Sequence, residues 1–374
     1  GWVVWRRTRA GWPATLGAFA VIACYGVTGH WYEQIRCDAQ VMFLTALGLA
    51  LVERASEKRR WPAAGLIALL LALFTKQVAL FAPAAALLFL WTRSRRQAAT
   101  WGAAFAALSL AAFAAMQSWS GGWFAFYTLR VPFSAGWDPG KYDLASTVIG
   151  TAWLLFGVAA VLSAVEIRAA LRRAHDGADG EAPATSSEPD GALLWALAFA
   201  LALPLCLLQS LKWGAALNAF IPLTPLLGVL FGLGVHRAMA RAGTNPWPVA
   251  AGTALVAMQF ALLSYQPLVP TPRDYHAQER IRTWVRAAPG EVFVSVFSSQ
   301  AYLNGKAYFG DDVTLGDLAR AGVESRNGLV EAVRRGQFSL LVLRPRLEPE
   351  EFADAVRERY TPVERIPMRT DIAR

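Results

Sequence analysis

The sequence is poor in cysteine, histidine and charge. Its three cysteines are too few and too scattered for a disulfide framework. Cys24 and Cys206 fall inside apolar runs, and Cys37 stands alone at a boundary. The four histidines, at 30, 175, 236 and 276, show no metal-ligand spacing. Charged residues make up 17% of the chain, against about 25% in a soluble domain. No Gly-rich phosphate loop, GxGxxG or Ser-His-Asp set is visible. These absences argue against a disulfide scaffold, a His/Cys metal centre and a nucleotide-loop enzyme.

What the chain has instead is apolar length. Hydrophobic residues make up 55%, with 15 Trp, and mean hydropathy is positive. Turn signals and charge runs divide the first 265 residues into nine expected membrane spans: 11–29, 39–53, 62–75, 78–91, 98–117, 145–167, 191–209, 218–236 and 248–265. The third and fourth are too short to cross a bilayer core comfortably, and read as a re-entrant hairpin or tilted partial crossings. The expectation is an all-α polytopic membrane domain over 1–265, followed by a small α/β domain over 266–374.

Charge gives the orientation. Every second loop is basic: WRRTR at 5–9, ERASEKRR at 53–60, RSRR at 93–96, RAALRR at 168–173 and HRAMAR at 236–241. The loops between them are poorer in Lys and Arg. By the positive-inside rule the basic set is cytoplasmic. The expectation is therefore a multi-pass inner (plasma) membrane protein whose chain after Gln266 is extracytoplasmic. The net charge of +9 then reflects cytoplasmic loops and not nucleic-acid binding. Segment 174–190, rich in Gly, Ala, Pro, Ser and acids, reads as a flexible cytoplasmic linker. The chain opens at Gly1 within what reads as a loop, so residues are expected to precede it.

After Gln266 the pattern changes. Strand-like runs at 291–297, 338–344 and 362–367 alternate with helical patterns at 275–288, 327–336 and 348–360. Such alternation predicts a mostly parallel sheet with helices.

Four stretches carry candidate chemistry. HWYEQIRCDAQ at 30–40 packs Glu33, Arg36 and Asp38 between two apolar runs. An acid at a helix start is a cap for the helix dipole, and Arg36 a snorkelling anchor. The alternative is that these residues line a polar hollow, since charge at membrane depth is costly and tends to be functional. FTKQ at 74–77 places Lys76 and Gln77 between the two short spans, as snorkelling residues or as partners of a lipid phosphate. QSLKWGAALNAF at 209–220 offers Lys212 and Asn218, with Pro222 and Pro225 positioned to disturb the helix that follows. The aromatic loop 118–144 reads as an amphipathic interfacial segment or as a lid, with Arg130, Asp138 and Lys141 as its polar groups.

These motifs have a familiar order. IRCDAQVMFLTALGLAL, a basic turn, LLLALFTKQVALFAPAAALLFLWTRSRR, and later WGAALNAFIPLTPLLGVLFGLGV and YQPLVPTPRDY, together resemble the GT-C polytopic glycosyltransferases. The likeness is to the bacterial branch related to protein O-mannosyltransferases and the lipid-A aminoarabinose transferase, and it runs from about residue 10 to 310. It implies transfer of a sugar from a polyprenyl-phosphate carrier to a lipid, glycan or protein acceptor at the outer face. It further implies a catalytic role for Asp38, and substrate contacts from Glu33, Arg36, Lys76, Gln77, Arg130, Lys212 and Asn218. The base expected in such enzymes, a carboxylate of the first outer loop, would lie upstream of Gly1, and Asp38 matches the second acid, which opens the helix after the second outer loop. Whether a divalent metal takes part is left open. A transporter or flippase of a lipid-linked sugar is the alternative, for which internal repeats and broken mid-membrane helices would be the signs.

Overall fold

The computed structural model describes residues 1–25, 28, 37–134, 136–176, 191–212, 217–262, 271–295, 298–310, 322, 326–343 and 350–366. The chain divides into two compact units. The first holds Gly1–Gly122 and Gly136–Tyr265, the second Trp123–Ala135 and Gln266–Arg374.

In the first unit the described elements are α1 Trp2–Thr8, α2 Gly11–Ala23, α3 Cys37–Glu57, α4 Ala63–Thr75, a 3-10 turn Gln77–Leu80, α5 Phe81–Arg93, α6 Arg95–Trp119, α7 Tyr142–Thr151, α8 Trp153–Asp176, α9 Gly191–Ser210, a 3-10 segment Leu217–Leu223, α10 Thr224–Ala242 and α11 Trp247–Ala261. Local chemistry sets several of the boundaries. Ser94 caps α6, its hydroxyl accepting from the Gln97 N–H at 3.3 Å. Pro83 sits in the first turn of α5, where its missing N–H costs nothing. A helix running unbroken from α4 would instead drive the Pro83 ring against the carbonyl of Ala79. The chain accordingly breaks at Lys76, whose backbone is extended (φ −159°, ψ 126°). Pro222 and Pro225 act similarly: the first lies in the 3-10 segment, the second in the first turn of α10.

Among the described residues five helical stretches are long and apolar enough to cross a membrane: Cys37–Glu57, Arg95–Trp119, Trp153–Arg172, Ala192–Ser210 and Leu217–Ala242. The other four expected spans are also apolar helices, but shorter: Gly11–Ala23, Ala63–Thr75, Gln77–Arg93 and Trp247–Ala261. A helix of 13 residues, such as α2 or α4, is about 20 Å long, well under the ~30 Å of a hydrocarbon core. The expected span at 145–167 is two helices, α7 and α8, and α8 continues into the expected linker as far as Asp176. The rest of that linker, 177–190, lies outside the described residues.

Helix packing in this unit rests on missing side chains. A Cβ at Gly17 would lie 2.6 Å from the Gly228 carbonyl oxygen, and one at Gly228 would lie 2.5 Å from that of Gly17. Gly232 approaches the Pro13 carbonyl at 2.7 Å in the same way. The pairs 17/228 and 13/232 run in opposite directions, so α2 and α10 are antiparallel with their backbones in contact. Small residues four apart are how helices gain close contact when lipid removes the hydrophobic drive between them. Gly48 against Leu69 and Gly65 against Val52 join α3 to α4 by the same device. By contrast, only 6% of the apolar window of α6 is buried. Leu110 and Trp119 project from it, 71% and 83% exposed, which in a membrane means facing acyl chains and the interface.

The second unit contains helical turns over Trp123–Ser134, α12 Pro272–Ala287, β1 Glu291–Val294, α13 Ser299–Leu303, α14 Arg326–Arg334, β2 Phe338–Val342 and α15 Glu350–Arg359. The turns over Trp123–Ser134 stack Trp123, Phe126 and Tyr127, with ring centroids 5.1–5.8 Å apart. Thr271 and Asp274 form a capping box that starts α12. Strands β1 and β2 pair in parallel, and a bulge between Glu291 and Val292 skips Ser339. The skip puts Phe338 on the same face as Leu341. That face packs Phe293 and Phe338 against α14 and against Phe352 of α15, while Val292 and Val294 pack against Ile281 and Val285 of α12. The three expected helices form here. The third expected strand does not: residues 361–366 are described without strand pairing. Pro362 lacks a ladder donor and the Glu364–Arg365 pair of charges is poor strand material.

The glycine contacts make a direct prediction. Gly228→Leu forces α2 from α10 and should cost about 1–3 kcal/mol or more, lowering the melting temperature of the detergent-solubilised protein. Gly157, beside which a Cβ meets nothing within 4 Å, serves as control, and Gly157→Ala should melt no lower than the unaltered chain. Equal melting of both variants would disprove backbone contact at Gly228.

Candidate functional site

Helix α3 carries an acid at each end. Asp38, in its first turn, is 1% exposed, and so is Glu53 near its last. Fifteen residues of rise separate them by about 22 Å. A buried carboxylate needs compensating partners, and the two acids have them to different degrees.

Glu53 is saturated. Its Oε2 accepts from Arg6 at 2.9 Å, and its Oε1 lies 3.0 Å from Arg7 Nε, a close ion pair though off the hydrogen-bond line. Arg6 also reaches Glu57 Oε2 at 2.5 Å. Both arginines come from α1, so this cluster ties the amphipathic α1 to the end of α3. Further along the same bundle, Glu166 of α8 pairs with Arg237 of α10. Sequence reasoning read these charges only as basic loops. The spacing of Glu53 and Glu57, one turn apart at the edge of an apolar run, was the available signal.

Asp38 is less complete. Lys76 Nζ donates to its Oδ1 at 2.5 Å, and the Asn218 amide nitrogen stands 3.4 Å from both Oδ1 and Oδ2. At 3.4 Å the amide contacts are weak. Among the described residues Oδ2 has no other partner, and the three-donor ammonium of Lys76 has only Oδ1. The side chain of Lys76 is 15% exposed. The start of α3 adds its own field, since an acid in the first turn meets the positive end of the helix dipole. Thr224 closes the neighbourhood, donating to the Ile221 carbonyl at 2.9 Å and lying 3.4 Å from Met42 Sδ.

Three residues, from turns separated by 38 and 180 positions, thus meet at one end of the bundle. The break at Lys76 and the 3-10 segment at Asn218 are what deliver two of them. Gln77 is exposed and opens the 3-10 turn without joining the cluster. Lys212 pairs through its backbone with Trp137, and the Asp138 N–H donates to the Leu211 carbonyl at 2.9 Å, so residues 137 and 138 of the aromatic loop dock just beyond the end of α9. Arg130 belongs to the second unit, where its guanidinium lies 5.8 Å from the Phe126 ring centroid. Glu33 and Arg36 lie outside the described residues. Among the described residues no group of three or more His, Cys, Asp or Glu is placed to hold a metal ion.

Architecture and site together define a helical membrane protein with a buried ion pair at one end of its bundle. No family model, curated protein or solved structure matches the chain.

Breaking the pair from one side should be costly. Lys76→Met leaves a buried carboxylate without its cation, at about 3–5 kcal/mol. The double variant Asp38→Asn with Lys76→Met should recover most of that loss. Thermal unfolding of the three variants measures the coupling, and a strictly additive double variant would show that the pair is not an energetic unit.

Proposed function

We propose that this chain is a GT-C-type glycosyltransferase. It moves a sugar from a polyprenyl-phosphate carrier to a lipid, glycan or protein acceptor at the extracytoplasmic face of the inner (plasma) membrane. The observation that carries the reading is the buried Asp38–Lys76–Asn218 cluster, in which one lysine ammonium and one weakly placed amide face the carboxylate, whereas Glu53 on the same helix faces two guanidinium groups. Asp38 Oδ2 meets only the long Asn218 contact, and Lys76 retains donors for a visitor.

Charge placement supports the orientation. The basic turns at 5–9, 53–60 and 236–241 lie at the Glu53 ends of their helices, opposite Asp38. By the positive-inside rule that end faces the cytoplasm, and Asp38 opens outward. In this reading the four shorter apolar helices complete a nine-span domain by tilting or partial crossing, and the chain after Gln266 lies outside the cytoplasm.

The chemistry follows from the two charges. The acceptor hydroxyl or amine attacks the anomeric carbon of the donor. The bond from that carbon to the phosphate oxygen breaks, and its electron pair leaves with the carrier phosphate. Lys76 stabilises the charge that develops there. In transferring to the phosphate, the ammonium releases Asp38, whose carboxylate takes the proton lost by the acceptor. Asn218 holds the carboxylate in place as Lys76 departs. Arg36, Glu33, Gln77, Lys212 and Arg130 remain candidates for carrier and sugar contacts, on the strength of the resemblance. A divalent cation beside the phosphate is compatible with this scheme and not required by it.

Asp38→Asn keeps the shape of the site and an acceptor for Lys76, yet removes the base. Transfer, read as release of free polyprenyl phosphate by the full-length protein, should fall about 10²–10⁴-fold while expression stays near that of the parent. Undiminished release from the Asn variant, or passage of the intact lipid-linked sugar across the bilayer without release, would sink the assignment.

A further inference from the structure

The second unit has a cleft of its own, about 590 Å³ in volume, within the range in which proteins hold small organic ligands, roughly 300–1,000 Å³. One wall is α12. Tyr275, Glu279 and Arg282 stand on one side of that helix, at spacings of four and three, while Ala277, Ile281 and Val285 are buried on another. The other wall is the short α13 and the turn after it, with Gln300, Leu303 and Asn304.

The amides are the unusual feature. Gln300 is only 7% exposed, yet it borders the cleft. Its Oε1 lies 3.4 Å from Asn304 Nδ2, and its own Nε2 has no partner among the described residues. Asn304 Nδ2 donates to the Gln300 backbone carbonyl at 2.7 Å, which fixes its orientation. Asn304 Oδ1 is left buried and without a partner among the described residues. The Gln300 amide thus borders the cleft with its donor unclaimed, beside a buried acceptor on Asn304. A buried acceptor in that state is costly unless something pairs with it.

The charges narrow the class of ligand. Arg282 NH1 and Glu279 Oε2 pair at 3.2 Å across one turn, so the arginine and the carboxylate of the lining neutralise each other, with His276 the remaining titratable group. Neither a phosphate nor an ammonium ion finds an unopposed counter-charge here. Tyr275 and Leu303, 58% and 67% exposed, offer flat and apolar surface at the rim. An aromatic face with rigid planar amides beneath it suits a ligand with a C–H face and hydroxyls that both donate and accept. That description fits a pyranose ring.

We infer that the cleft between α12 and α13 binds a neutral saccharide unit, stacked on Tyr275 and hydrogen-bonded by Gln300 and Asn304. The inference stands on the second unit alone and does not depend on transfer chemistry at Asp38.

The full chain in nanodiscs, titrated with chitotriose, maltotriose and mannotriose and separately with inorganic phosphate, tests it. At least one neutral trisaccharide should bind with Kd about 1 mM or tighter, and added salt should leave that affinity unchanged. Tyr275→Ala, a substitution at an exposed position, should weaken binding at least ~10-fold, or about 1.4 kcal/mol. Gln300→Glu, which keeps the shape but replaces the open donor, should weaken it similarly, and Asp38→Asn should leave it as it was. The proposal is overturned if none of the three sugars binds, if phosphate displaces the bound sugar, or if Tyr275→Ala binds as the parent does.

Discussion

Asp38 has left water almost completely, and the rest of the first unit is arranged around that fact. An isolated carboxylate in such surroundings would be prohibitively costly. Its partners are Lys76, the first turn of α3 and, more weakly, the Asn218 amide. Each partner depends on an irregularity in the backbone. Had α4 continued unbroken into α5, Lys76 would lie on a helix face and not at a turn. Had α10 begun as regular helix at Leu217, the 3-10 segment that presents Asn218 would be gone. Pro83, Pro222 and Pro225 are thus part of the electrostatics, although none of them carries charge.

Those irregular turns are affordable because the helices beneath them are locked together. Gly17 with Gly228, Gly232 with Pro13, and the Gly48 and Gly65 contacts of α3 with α4 bring backbones within reach of each other. In hydrocarbon such packing, more than burial of apolar area, holds helices in register. The rigid lower bundle fixes the ends of α3, α4 and α10, and through them the three polar groups. The Arg6–Arg7–Glu53–Glu57 cluster pins the opposite end of α3, so that helix is held at both termini by charge and along its length by shape.

The polar residues that meet were legible because each stands at the end of an apolar run on the same side by loop parity. Asp38, Lys76 and Asn218 could be named in this way, though their mutual distances could not. Span number was less legible. Hydropathy marks α2, α4, α5 and α11 as apolar, but apolar helices of this length do not declare whether they cross. Residues 362–367 read as a strand from the length of the run alone, yet pairing requires donors that Pro362 lacks. The Gln300–Asn304 pair left no trace in pattern at all. Two amides four residues apart are common on helices, and only burial of one and orphaning of the other distinguishes them.

The contrast between the two acids of α3 gives a rule that reaches beyond this helix. Glu53 faces two guanidinium groups, one beside each carboxylate oxygen, whose delocalised charge is fixed in place by the helix that carries them. Asp38 faces one ammonium, a point charge on a flexible stem, which holds one oxygen and can let it go. Were the partners exchanged, with arginine at 76 and lysine at 6 and 7, the buried charge at each end would still be compensated, but the open end would become the closed one. The identity of the cation, rather than the presence of the acid, is therefore what separates a tether from a site in this bundle. Lysine at the break between α4 and α5 is the choice that keeps Asp38 exchangeable.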